Sequence, residues 1–143
     1  MIEPMADRPL TPETVNEVVA EAFPGSKAVC VELGERFAVA KLPTDDDDIR
    51  PGGFVAGPIQ FALADAALWY LVFGALGRIE PMALTSELSI RYLRPAIGPV
   101  LHARADLAAI SRRSVVGSVT VWTTDERKPT AVAQGTYALP LAK

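Results

Sequence analysis

The chain carries one cysteine, Cys30, and one histidine, His102, among 143 residues. A lone thiol cannot close an internal disulfide, and the pair falls short of the nitrogen and sulfur ligands that a zinc site needs. No metal is expected, and a reducing, cytoplasmic setting fits. A charge imbalance is missing too: 14 Lys and Arg against 17 Asp and Glu leave a formal net charge of −3. A molecule so nearly neutral has no strong pull towards nucleic acid or an anionic membrane, and neither partner is expected. Residues 1–10 hold acids and two prolines where a secretory signal would need a basic start and an apolar run, so no export signal is expected. Internal repeats and low-complexity linkers are also lacking. Between Arg50 and Arg78 charge itself disappears, apart from Asp65.

Half of the residues are apolar and 22% are charged, which suits a chain that folds, and the length suits one domain over residues 1–143. The apolar stretch 54–77 approaches the roughly 20 residues that span a bilayer. Asp65 near its middle would cost about 2.5 to 3.5 kcal/mol on an insertion scale. A helix buried in a protein core is the better account.

Residues 11–23 read as an amphipathic helix. Thr11 can cap it with Pro12 in the first turn, or Thr14 and Glu17 can form a capping box one turn later; either start aligns Val15, Val18, Val19 and Ala22. After Pro24 and Gly25, KAVCVEL and RFAVAKL flank Gly34 and Glu35 as the strands of a hairpin. TDDDDIRPGG reads as an exposed, solvated loop, with no EF-hand spacing of oxygen ligands. Gly57 and Pro58 then start a helix that is apolar on every face as far as Gly74 or Gly77. LTSELSIRYL, VLHARADLAAI, SVVGSVTVWTT and TAVAQGTYAL follow, alternating or rich in β-branched and aromatic residues. Short polar or proline-bearing breaks between them suit antiparallel connections. The order is α+β: a long central helix covered by an antiparallel sheet of about six strands.

Asp65 is the residue most in need of an explanation. A buried carboxylate without a partner is unfavourable, so it must take up a proton, find hydrogen-bond donors or face a cavity that water or substrate enters. Upstream, GGFVAGP offers free backbone amides at a helix N-terminus, where the dipole favours a developing oxyanion. An acid and an oxyanion site on one helix suit acyl transfer.

GPIQFALADAALWY, followed by LTSELSIRYLRPA, resembles the hotdog-fold acyl-CoA thioesterases of the PaaI type, over roughly residues 45–140. In that family a His-Gly-Gly tripeptide precedes the helix, an aspartate lies within it, and the next strand carries Thr or Ser before a run ending in Arg-Pro-Ala. The match falls on Asp65 and on Arg94, Pro95 and Ala96, while the tripeptide aligns with Ala56, Gly57 and Pro58. The resemblance implies that the Gly57 N–H polarises the thioester carbonyl, that Asp65 acts as nucleophile or general base, and that Thr85, or its neighbour Ser86, positions water. Ala56 replaces the family histidine, and Arg50 stands where many members place an asparagine that helps to hold the attacking water. The Arg50 guanidinium could orient water or pair with Asp65, and pairing would hold the acid charged.

Between Arg91 and Lys128 the chain bears seven Arg and Lys against three acids. Arg112 and Arg113, with Ser114 in a predicted turn, are candidates for a nucleotide phosphate. Trp69, Tyr70, Phe73 and Trp122 read as core or subunit contact, and His102 as non-catalytic. Hydrolysis of an acyl-CoA thioester is the expected activity. Coenzyme A is then part of the substrate, with no separate cofactor, and the resemblance implies a homodimer or homotetramer with sites between subunits. The alternative is a hotdog protein that binds an acyl-CoA or a small apolar carboxylate without cleaving it.

Overall fold

The computed structural model describes residues 8–141. Thr11 caps the first helix, α1 (Pro12–Ala22), by accepting the Thr14 N–H at 3.1 Å, so the earlier of the two predicted starts is adopted. Val15, Val18 and Val19 form its buried face. β1 (Val29–Leu33) and β2 (Phe37–Pro43) make the expected hairpin.

The acidic segment departs from a simple solvated loop. Asp45 caps a single 3-10 turn, Asp46–Asp48, and the Asp48 side chain accepts the Asp45 N–H at 3.0 Å. Asp48 is 5% exposed, and Lys27 bridges it to Asp45. A buried carboxylate is tolerated because an ammonium and a backbone donor serve it. Two short paired strands, β3 (Ile49–Arg50) and β4 (Phe54–Val55), carry the chain onward. The Asp48 carbonyl then accepts the Ala56 N–H at 2.8 Å, so the acidic turn anchors the entrance to the long helix.

That helix, α2, spans Gly57–Leu76. It ends at Gly77, whose φ of 74° places it in the left-handed region that only glycine enters freely. Residues 67–74 are buried on every side, whereas Pro58, Phe61 and Ala62 in the first half remain exposed. Uniform burial therefore holds for residues 67–74 alone. By length and composition α2 could cross a bilayer, but it is the core helix here, packed on β2 and the later strands.

Those strands are β5 (Leu84–Tyr92), β6 (Val100–Ile110), β7 (Ser114–Trp122) and β8 (Ala131–Ala138). Six strands form one antiparallel sheet in the order β1-β2-β6-β7-β8-β5. The sheet lies against α2 in the hotdog arrangement. Inward positions of β6 and β7, such as Leu101, Ala103, Ala105, Val119 and Val121, are buried against the helix side. The two sheet edges differ. At β1, Asn16 of α1 donates to the Cys30 carbonyl at 3.0 Å and accepts its N–H at 2.8 Å, covering the edge as a neighbouring strand would. At β5, Leu84 and Tyr92 are 67% and 50% exposed, and among the described residues no further strand follows.

Candidate active site

Asp65 lies in the third turn of α2, where the helix changes from partly open to fully buried. The sheet turns two hydroxyls towards it. Thr85 and Tyr137 are paired across β5 and β8; the Thr85 hydroxyl donates to Asp65 Oδ1 at 2.7 Å and the Tyr137 hydroxyl to the same oxygen at 2.6 Å. Tyr137 also reaches the Asp65 backbone carbonyl at 3.1 Å. The register slips between Thr85 and Glu87, leaving Ser86 as an extra residue. Such a bulge re-aims side chains, and here Thr85, not Ser86, bonds to the carboxylate. Burial, followed by the bond to Asp65, pushes the Tyr137 pKa far above the ordinary phenol value, so it remains a donor.

The carboxylate therefore has donors, and it also borders a cavity of about 270 Å³. The walls are mostly apolar: Phe23 just past the end of α1, Trp69 and Tyr70 from α2, and Ala83 and Leu84 where the chain enters β5. Phe23 stands edge-on to Trp69 at 5.6 Å. Trp69 and Tyr70 thus belong to the core, as expected, and shape the cavity as well.

The other predicted site residues lie elsewhere in the protomer. Gly57 opens α2 eight residues before Asp65, about 12 Å away along the axis. It borders a second cleft of about 450 Å³ with Arg50, Tyr92, Arg94 and Ala96. The Tyr92 hydroxyl donates to the Gly57 carbonyl at 2.7 Å, and a Cβ on Gly57 would come within 3.1 Å of the Tyr92 ring, so a larger residue there requires the half-exposed Tyr92 to shift slightly. Ala56 is the N-cap, with no side-chain acceptor to offer, and Pro58 sits in the first turn. Arg50 is exposed beside Gly57 and forms no ion pair with Asp65. Of the two roles left open for Arg50, pairing with Asp65 is not made, because the guanidinium and the carboxylate border different cavities.

Arg112 and Arg113 occupy the β6–β7 turn and line a third cleft of about 560 Å³ with Arg78, Glu80 and Leu139. Ser114 closes that turn, its N–H donating to Ser111 Oγ at 3.2 Å. His102 stacks on Trp122 at 5.6 Å, away from the Asp65 cavity, and burial with nearby Lys41 lowers its pKa. Among the described residues no cluster of His, Cys, Asp and Glu could hold a metal ion.

Sequence reasoning missed Tyr137. Alternation in TAVAQGTYAL turns it inward, but an inward tyrosine reads as core until the β5–β8 register is known.

The thioesterase superfamily model matches residues 52–130, more than half of the chain. The chain belongs to the thioesterase superfamily. A protein of a Silicibacter species, provisionally named a thioesterase, is 27% identical over 95% of this chain and 96% of its own, with a TM-score of 0.81. A thioesterase from Haemophilus influenzae is 21% identical over 94% of each chain, with a TM-score of 0.78. The phenylacetic acid degradation protein PaaI from Thermus thermophilus is 24% identical over 86% of this chain and 99% of its own, with a TM-score of 0.68. The last two show the shared fold. No curated protein matches the chain. The family match includes Gly57, Asp65, Thr85 and the β6–β7 turn, and stops before Tyr137.

Proposed function

We propose that this superfamily member is a PaaI-type hydrolase that cleaves an acyl-CoA thioester to a carboxylate and free coenzyme A. The observation that carries this reading is Asp65, held by two hydroxyls at the wall of an apolar cavity. Such a carboxylate can act as a general base on water beside an acyl group that the walls hold dry.

In the proposed step Asp65 takes a proton from water while the water oxygen bonds to the thioester carbonyl carbon. The carbonyl π electrons move onto oxygen, where a helix N-terminal N–H stabilises them. The oxyanion electrons then re-form the carbonyl as the C–S bond breaks and its electrons leave with sulfur, the proton on Asp65 passes to the coenzyme A thiolate, and the acid product gives its remaining proton to solvent to become the carboxylate. Coenzyme A enters as part of the substrate, and the scheme needs no cofactor.

The oxyanion donor in this reading is the partner's Gly57. Gly57 and Asp65 of one chain border separate cavities, so a second copy is needed to bring the two groups to one carbonyl. The open β5 edge, with Met82, Leu84, Leu93 and Phe61 exposed around it, supports pairing through that side. The assembly is a homodimer or a dimer of dimers. Arg112 and Arg113, with Ser114 shaping their turn, meet the nucleotide phosphates at the cleft they line. The acyl-CoA substrate and the unpaired Cys30 thiol fit a cytoplasmic setting.

A second reading, acyl-CoA binding without cleavage, is favoured by Ala56, which gives the thioester carbonyl no side-chain donor. Thiol release measured over acyl-CoAs of different length and aromaticity, beside calorimetry with a nonhydrolysable acyl-CoA, separates the two. Release of coenzyme A supports the hydrolase, and binding without release supports the second reading.

A further inference from the structure

Tyr137 and Thr85 both donate to Oδ1 of Asp65, and no hydrogen bond among the described residues reaches Oδ2. A carboxylate oxygen accepts through two in-plane lone-pair directions, so two short bonds leave Oδ1 little capacity for water. The two donors are not equivalent. Thr85 stands on the edge strand of the protomer, whereas Tyr137 is 5% exposed and lines the Asp65 cavity from within the sheet. Its second contact, to the Asp65 backbone carbonyl at 3.1 Å, ties the side chain to the helix that bears it.

Phenylalanine would fill the same volume without burying a hydroxyl, and a buried hydroxyl is unfavourable unless bonded. The single proton of the Tyr137 hydroxyl is shared between two acceptors, both on Asp65. We infer that Tyr137 is a positioning residue: it fixes the Asp65 carboxylate through Oδ1, so that Oδ2 is the atom that takes the proton from water. This rests on the hydrolase reading above and names the reactive oxygen within it.

Tyr137→Phe deletes a single oxygen and leaves the ring in the core. In steady-state kinetics with the best acyl-CoA, kcat should fall about tenfold, while KM stays within about twofold because the cavity walls are intact. Placed on Asp65→Asn, the same change should lower the residual rate no further, since Tyr137 acts through the carboxylate. An undiminished kcat in Tyr137→Phe would overturn the inference, as would an equal loss in both backgrounds. A crystal structure of Tyr137→Phe decides the matter independently of turnover. The Asp65 carboxylate should leave its single orientation on Thr85, and an unmoved carboxylate overturns the positioning role. If the wild-type chain releases no coenzyme A, the hydrolase reading alone fails, and that crystal structure still decides what Tyr137 does.

Discussion

Two inactive variants, refolded together, should restore activity if each site takes Gly57 from one chain and Asp65 from the other. Gly57→Pro deletes the N–H assigned to the oxyanion at a helix start, where proline is tolerated. Tyr92, half exposed beside it, has room to yield to the added ring atoms. Asp65→Asn deletes the base. Within one chain the two positions are about 12 Å apart along α2 and face different cavities, too far for one carbonyl about 3 Å from each. Each variant alone should be inactive. In an equal mixture half of the dimers are mixed, and each of these carries one site with both groups intact and one with neither. Activity should return to about a quarter of wild type. The assay is thiol release followed with a thiol reagent, to which the protein adds little background because Cys30 is buried and its pKa is pushed up to about 12. A mixture no more active than its components would refute the shared site.

The Lys27 bridge gives a second test. Hydrogen bonds to Asp48 and Asp45 raise the Lys27 pKa, and the bond to Lys27 lowers that of Asp45. The Asp45 contribution is complete above its unfolded pKa of about 4 and is lost as pH falls through the lower folded value; the Lys27 contribution is complete below about 10.4 and is lost as pH rises through the higher one. Lys27→Met should therefore lower Tm by a constant amount between about pH 5 and 9, and a pH-independent deficit extending to pH 3 would contradict the bridge. For the phosphate cleft, replacing Arg112 and Arg113 with Gln should raise KM for an acyl-CoA about fivefold or more with kcat kept. The pair should not affect cleavage of the corresponding acyl-pantetheine, which lacks the nucleotide, and an equal effect on both substrates would remove the arginines from phosphate binding.

What could be read without coordinates follows the range of the interactions involved. Thr11, the Gly57-Pro58 start and the Gly77 stop are local signals, so both helices were legible to within a residue or two, and β6 coincides with its predicted run. Asp65 stood out because its neighbours lack charge. The acidic segment was legible in part: Asp45, Asp46 and Asp47 are exposed as expected, but the burial of Asp48 depends on its contact with Lys27, which no local pattern specifies. Thr85 and Tyr137 meet through the β5–β8 register and its bulge at Ser86, which no spacing in the sequence specifies. Arg112 and Arg113 were assigned a phosphate before their distance from the Asp65 cavity was known, and the structure gives them a separate cleft.

The most direct test of acyl-CoA hydrolysis at Asp65 is the rate of coenzyme A release by Asp65→Asn beside wild type, on the best acyl-CoA and at matched Tm. Asparagine keeps the size of the side chain and can still accept from Thr85 and Tyr137 through its amide oxygen, but it cannot take a proton from water. The account predicts an intact fold and a rate at least about 100-fold lower. A variant as active as wild type would contradict it.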